Sequence, residues 1–151
     1  MKHINLLVAL TAAITSLPAS AQITKTIKDC EMVLGKPAKI HNTSPPARSY
    51  VNKGLHVQVS YEAGRAIAIV YRSASRFSST TISNERIKKI YQANNIDPDN
   101  IVEITLPELR SLRGVYKITK DKKILILNDQ SKNIFAVYDA EPMIRQLRKM
   151  R

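Results

Sequence analysis

The residue types able to do covalent or metal chemistry are few and scattered in this 151-residue chain. Beyond the first 21 residues there are two histidines, His41 and His56, and one cysteine, Cys30. A serine hydrolase needs a histidine held by a carboxylate and aimed at a serine. His41 lies near Pro45-Pro46 in a stretch that reads as an exposed loop. His56 alternates with strand residues and reads as a surface histidine on a sheet. No His/Cys set has zinc-site spacing, and no metal is predicted. Asp97, Asp99 and Glu103 alternate like the start of a calcium loop, but Pro98 and a missing turn glycine spoil the pattern. Glu103 and Glu108 offer a carboxylate pair. Glu108, however, is already explained by a helix capping box, Thr105-Leu106-Pro107-Glu108. With only four glycines there is no phosphate-cradling loop. These residues predict a non-enzymatic protein with no cofactor, leaving a cryptic enzyme as the second alternative. Cys30 reads as a small buried hydrophobe on a helix. As the only thiol it either stays reduced or cross-links two copies.

Charge is the remaining chemical signal. The net charge is +12 and the pI about 10.0. Cations cluster at Arg86, Lys88 and Lys89, at Arg110 and Arg113, and at Lys120, Lys122 and Lys123. A last cluster ends the chain: Arg145, Arg148, Lys149 and Arg151. Such groups either solvate a face or attract lipid head groups, acidic polymers or an acidic protein surface. Phosphate neutralisation needs only Lys and Arg. Export makes nucleic acid a poor physiological partner, and with no Trp there are few stacking platforms.

Export is read from Met1 to Ala21. Lys2 is the positive end, Ile4 to Leu17 is mostly apolar, and Pro18 breaks the helix. Ala19-Ser20-Ala21 is an A-x-A site, so the sequence predicts a Sec-type signal cut after Ala21 and a periplasmic or secreted protein. No other segment is long and apolar enough to span a bilayer. Residues 22–151 then form one α+β domain.

The elements that must position any site follow from periodicity. Ile23, Ile27, Cys30 and Leu34 fall on one face of a helix over Thr24 to Leu34, stopped by Gly35 and Pro37. Lys36 to Arg48 reads as a loop and Ser49 to Asn52 as a short strand. Leu55 to Arg72 reads as a β-hairpin, with Leu55, Val57, Val59 and Tyr61 on one face and His56, Gln58 and Ser60 on the other. A three-residue loop, Glu62-Ala63-Gly64, puts Val59 opposite Ile67 and Val57 opposite Ile69. A two-residue loop puts Val59 opposite Ala68 instead, so the hydrophobic pattern selects the longer loop. Ser73 to Thr81 is a serine-rich connection, and Ser83 caps a second helix carrying Ile87, Ile90 and Tyr91. Ile101 to Ile104 allows a strand and Thr105 to Arg113 a short helix. Val115 to Thr119, Lys123 to Asn128 and Asn133 to Tyr138 read as strands, and a closing helix follows over 140–150. Met143, Ile144, Leu147 and Met150 form its apolar stripe, suited to cover Leu125, Leu127, Phe135 and Val137.

Sliding the chain by about 67 positions lays Val57 on Ile124, Val59 on Ile126, Ile67 on Ile134 and Tyr71 on Tyr138. The predicted architecture is a helix-plus-three-strand meander, present twice at about 22–72 and 82–139. The copies form one antiparallel sheet with the helices on one face. With the Leu34-Gly35-Lys36-Pro37 helix ending and the Glu62-Ala63-Gly64 turn, this plan resembles the tandem fold of secreted β-lactamase inhibitor proteins. It is similar also to related small outer-membrane assembly lipoproteins. The single cysteine departs from the disulfides of the former and from the lipidated cysteine of the latter. The resemblance carries over no individual residue; it implies that an open sheet face is the binding surface.

The sequence thus points to a protein-binding face made of His56, Gln58, Ser60, Ala68 and Val70, flanked by Arg65 and Arg72, and taking an envelope protein. The alternative is attachment to an anionic surface through Arg145, Arg148, Lys149 and Arg151.

Overall fold

The structure, a computed structural model, describes residues 22–73, 82–104 and 115–149. The signal segment, the serine-rich connection over 74–81, the helix expected at Thr105 to Arg113, and Met150 and Arg151 lie outside the described residues.

Helix α1 (Ile27–Leu34) starts at Thr26 rather than Thr24. The Thr26 hydroxyl accepts the Asp29 N–H while Asp29 accepts the Thr26 N–H, a reciprocal cap that fixes the first turn. Residues ahead of the cap pair with the sheet instead: the Thr24 N–H donates to the Ala66 carbonyl at 2.8 Å and the Ala66 N–H to Lys25 at 2.9 Å. Helix α2 (Asn84–Ala93) is capped by Ser83, whose hydroxyl accepts the Arg86 N–H. Helix α3 (Ala140–Lys149) follows directly on the last strand, and Asp139 accepts the Glu141 N–H at its start.

Eight strands form one antiparallel sheet: β1 (Lys39–His41), β2 (Ala47–Asn52), β3 (Leu55–Glu62), β4 (Arg65–Ser73), β5 (Ile101–Glu103), β6 (Val115–Thr119), β7 (Ile124–Asp129) and β8 (Ile134–Asp139). Their spatial order is β1-β2-β3-β4-β8-β7-β6-β5, so two four-strand meanders meet at the β4–β8 pair. Each meander has four strands where the sequence suggested three. The fourth in each case is a three-residue edge strand, β1 or β5, too short to show a period.

Three expectations are corrected. The hairpin turns in two residues, with Glu62 opposite Arg65 and both Ala63 (φ +49°) and Gly64 (φ +75°) in the left-handed region that a type I′ turn requires. A bulge at Ile67 then restores the apolar pairing: Tyr61 faces Ala66, Ser60 faces Ala68, Val59 faces Ile69 and Val57 faces Tyr71. Above the bulge the expected and observed registers differ by two residues, so β3 and residues 68–72 keep their predicted faces, while Arg65 and Ala66 below it change sides, Ala66 joining Tyr61 in the core. In the second hairpin the turn spans Gln130 to Asn133, and Ile126 faces Val137. Phe135 and Val137 therefore share the Ile126 face, not that of Leu125 and Leu127. Residues matched at a spacing of 67 on β3 and β7 fall out of step on β4 and β8. Last, His41 belongs to β1 rather than a loop.

The sheet has a core on each side. On one, α1 and α2 cover Tyr50, Val57, Val59, Ile69, Tyr71, Ile126 and Phe135, with Cys30, Leu34 and Ile90 reaching down from the helices. The Tyr91 and Phe135 rings meet at 5.9 Å between centroids. Cys30 is 1% exposed, sealed from any second copy, and burial pushes its thiol pKa up. Beneath α1 the Tyr50 and Tyr61 hydroxyls are 3.1 Å apart, and burial raises the Tyr61 pKa strongly. On the other side Met143 and Leu147 of α3 pack on Tyr116, Ile118, Leu125, Leu127 and Ala136.

Candidate interaction face

The α3 side of the sheet can be followed in cross-strand rows, because paired residues of an antiparallel ladder point the same way. One row runs Ala47, Ser60, Ala68, Tyr138, Leu125, Ile118 from β2 to β6. The next runs Ser49, Gln58, Val70, Ala136, Leu127, Tyr116. A third runs Val51, His56, Arg72, Ile134, Asp129. In the first row the change from small or polar to large and apolar falls at the β4–β8 boundary; in the second the apolar run begins already at Val70 on β4 and continues through Ala136. Helix α3 packs on the apolar end. His56 and Gln58 are exposed, while Ser60, Ala68 and Val70 are half-buried. Val70 packs at the margin of the α3 cluster, where the bare terrace meets the helix wall.

The sequence-predicted residues mostly come together here. His56, Gln58, Ser60, Ala68, Val70 and Arg72 share the terrace, with His56 opposite Arg72 and Gln58 opposite Val70. Arg65 does not join them: it lies at the hairpin tip and donates to the Thr24 carbonyl at 3.1 Å. Sequence reasoning missed His41 and Ser49. The His41 Nε2 lies 2.8 Å from the Ser49 hydroxyl, and both flank the same face. The signal was a single alternation, Lys39 and His41 about Ile40, with no length to support it.

The terrace side carries two cations, Lys39 and Arg72, with His41 and His56, and strands β1–β4 have a single carboxylate, Glu62. That carboxylate is held at 2.6 Å by Arg145 of α3. The His41–Ser49 pair consequently has no carboxylate from these strands to orient the imidazole. Among the described residues no group of three or more His, Cys, Asp or Glu is placed to hold a metal.

The alternative cationic cluster is also exposed, at Arg145, Arg148 and Lys149. Arg145 is bound to Glu62 and also lies 3.9 Å from Glu141. Arg148 and Lys149 border a cleft of about 780 Å³ whose floor includes Ile104, Ile118 and Ile144. Arg151 lies outside the described residues. A second cleft of about 480 Å³ lies between Gln22, Asn94, Lys122 and Asp139. Asn94 is buried there for a structural purpose: its Oδ1 accepts the Ile23 N–H at 2.8 Å and its Nδ2 donates to the Ile90 carbonyl at 2.9 Å. Burial raises the Asp139 carboxyl pKa, and raises that of Tyr138 to about 12. Among the described residues no helix is long and apolar enough to cross a membrane.

No family model and no curated protein matches the chain. Among solved structures, it is similar to a cysteine-rich secretory protein from Staphylococcus aureus, at 13% identity and a TM-score of 0.41 over 80% of this chain and 46% of that one. It is also similar to an extracellular protein containing an SCP domain from Bacillus anthracis, at 11% identity and a TM-score of 0.39 over 97% of this chain and 52% of that one. The chain thus spans about half the length of each of these proteins.

Proposed function

We propose that this chain is an exported, non-enzymatic binding module that recognises a protein through the bare half of its sheet. The observation that carries the reading is the break in the cross-strand rows. One continuous face is covered by α3 over β6–β8 and onto Val70 of β4, and is open beyond that at His56 and Gln58 of β3, Arg72 of β4 and Val51 of β2, Val51 at 56% exposure. A semi-apolar patch rimmed by polar groups marks an interaction site. Export rests on the tripartite leader with its cut after Ala21. We further read the two helix-and-meander halves as copies of one unit. That is the tandem arrangement implied by the likeness to secreted inhibitor proteins, in which the open face does the binding.

Photo-cross-linking in the exporting cell tests this. A benzophenone side chain is placed at His56 or Gln58 on the terrace and, as control, at exposed Lys88 on α2. The expected result is one identified protein adduct shared by positions 56 and 58, missing at 88, and lost when Ser60→Arg raises a bulky cation on the terrace. Equal labelling at position 88, or an adduct unchanged by Ser60→Arg, rejects the face. Salt-sensitive sedimentation with anionic vesicles that depends on Lys149 instead supports the anionic-surface alternative.

A further inference from the structure

Resting on that reading, we infer that the terrace takes an extended, carboxylate-rich protein segment rather than a folded domain. Two observations carry this. The first is charge. Lys39, His41, His56 and Arg72 all stand on the terrace side of β1–β4, by pairing with Ser49, Ala47, Val51 and each other. The lone carboxylate of these strands, Glu62, is engaged by Arg145 at the hairpin tip. The bare surface has cations at both ends and no acid of its own to neutralise them. Complementary potentials select the partner's sign.

The second is size. Neighbouring strands are about 4.8 Å apart and successive residues about 3.4 Å, so four strands and five residues cover roughly 330 Å². A stable complex of folded domains needs about 800 Å² per partner. An extended segment fits the smaller footprint. It can lie along the α3 wall with apolar side chains toward Val70 and Ala68, its amides within reach of Gln58, Ser60 and Ser49, and its carboxylates toward Arg72 and Lys39. A membrane surface fits less well. Interfacial binding needs large apolar side chains to insert, and Val51 is the one large exposed aliphatic on these rows.

The test uses the processed protein and two synthetic 12-residue peptides: one alternating Asp/Glu with Val/Leu, the other its Asn/Gln isostere. Vesicles containing 30% phosphatidylglycerol form a third arm. The acidic peptide is expected to shift the backbone amide resonances of His56, Gln58, Val70 and Arg72. Arg72→Gln should weaken its binding about fivefold, and high salt should weaken it further. Arg72 is exposed, so its replacement leaves the fold intact. Equal binding of the amide peptide overturns the acidic assignment while leaving the protein-binding reading standing. So does failure of both peptides, since the cross-linking experiment decides that reading separately. Shifts confined to α3, or terrace shifts with vesicles alone, also overturn it.

Discussion

On the α3 side of the sheet, Ala47, Ser60 and Ala68 continue into Tyr138, Leu125 and Ile118 along one row. The halves differ in little else of their plan: each is a helix followed by four antiparallel strands, with its helix on the opposite side. The second half has large apolar side chains on this face and a terminal helix to bury them. The first has serines, a glutamine, alanines, Val51 and Val70, and among the described residues no helix of its own on this side. A sheet face exposes what it can solvate, so the side-chain substitution and the missing cover are two sides of one physical fact. Charge follows the same division. Strands β6–β8 and their turns mix Asp121, Asp129 and Asp139 with lysines, whereas strands β1–β4 have Glu62 alone. Helix α3 thus packs over the second meander on this side, while His56 and Gln58 of the first stay exposed.

The largest effect that sharpens this contrast comes from truncating equivalent depths. Leu125→Ala removes a fully buried side chain under α3 and should cost about 2–5 kcal/mol in urea unfolding. Gln58→Ala on the terrace should stay within about 0.5 kcal/mol. Similar costs at both sites break the comparison, because the terrace would then be covered.

Asn94→Ala removes the amide that ties the segment before α1 to the end of α2. It leaves the buried Ile23 N–H without its acceptor, which should cost about 1–3 kcal/mol. Amide exchange at Ile23 should accelerate with it. Protection at Ile23 unchanged in the variant shows that the clamp is dispensable.

Acid should act mainly through the second half and the caps. Hydrogen bonds from Ser131, from Thr119 and from Thr26 hold the Asp129, Asp121 and Asp29 carboxyls below the usual range. Each therefore contributes stability above its unfolded value, near 3.8, that is lost as pH falls through the lowered folded value. Asp129→Asn should flatten the acid limb of a stability–pH curve measured from pH 2 to 5. Burial moves Asp139 the opposite way, so its contribution is lost as pH rises through the raised folded value, and Asp139→Asn should gain stability at neutral pH. An acid limb unaltered by Asp129→Asn assigns the titration elsewhere.

The smallest effect is at the tip, where α3 touches the first half. Arg145→Ala breaks a partly exposed pair with Glu62 and should cost less than about 1 kcal/mol, shrinking further in high salt. A larger, salt-independent loss would mean that α3 holds the first half by packing as well as by charge.

The pattern of faces was legible because alternation is local. Val57 and Val59 against His56 and Gln58 decide sides whatever the turn does, and a register wrong by two residues left them correct. The helix stops and caps were equally local: Gly35, Ser83 and the apolar stripe of α3 needed no distant partner. The turns were less so. A glycine at the tip is compatible with both a three-residue loop and a type I′ turn followed by a bulge. The choice depends on packing Tyr61, Ala66 and Ile69 under α1, which only the assembled core imposes. The second hairpin went out of phase for a related reason: Asp129 organises a longer turn through Ser131 and Lys132, and Asn133 enters the left-handed region.

By itself, the sequence determined the two faces of β3, the stop of α1 at Gly35, the Ser83 cap of α2 and the basic charge of the chain. Those follow from neighbours within a few positions. Tertiary structure alone decided that β4 pairs with β8, that His41 meets Ser49 on the terrace, and that α3 stops short of covering it. Those depend on long-range strand order and on the sole acidic side chain of β1–β4 being drawn to Arg145. No period in a chain records which surfaces come to lie side by side.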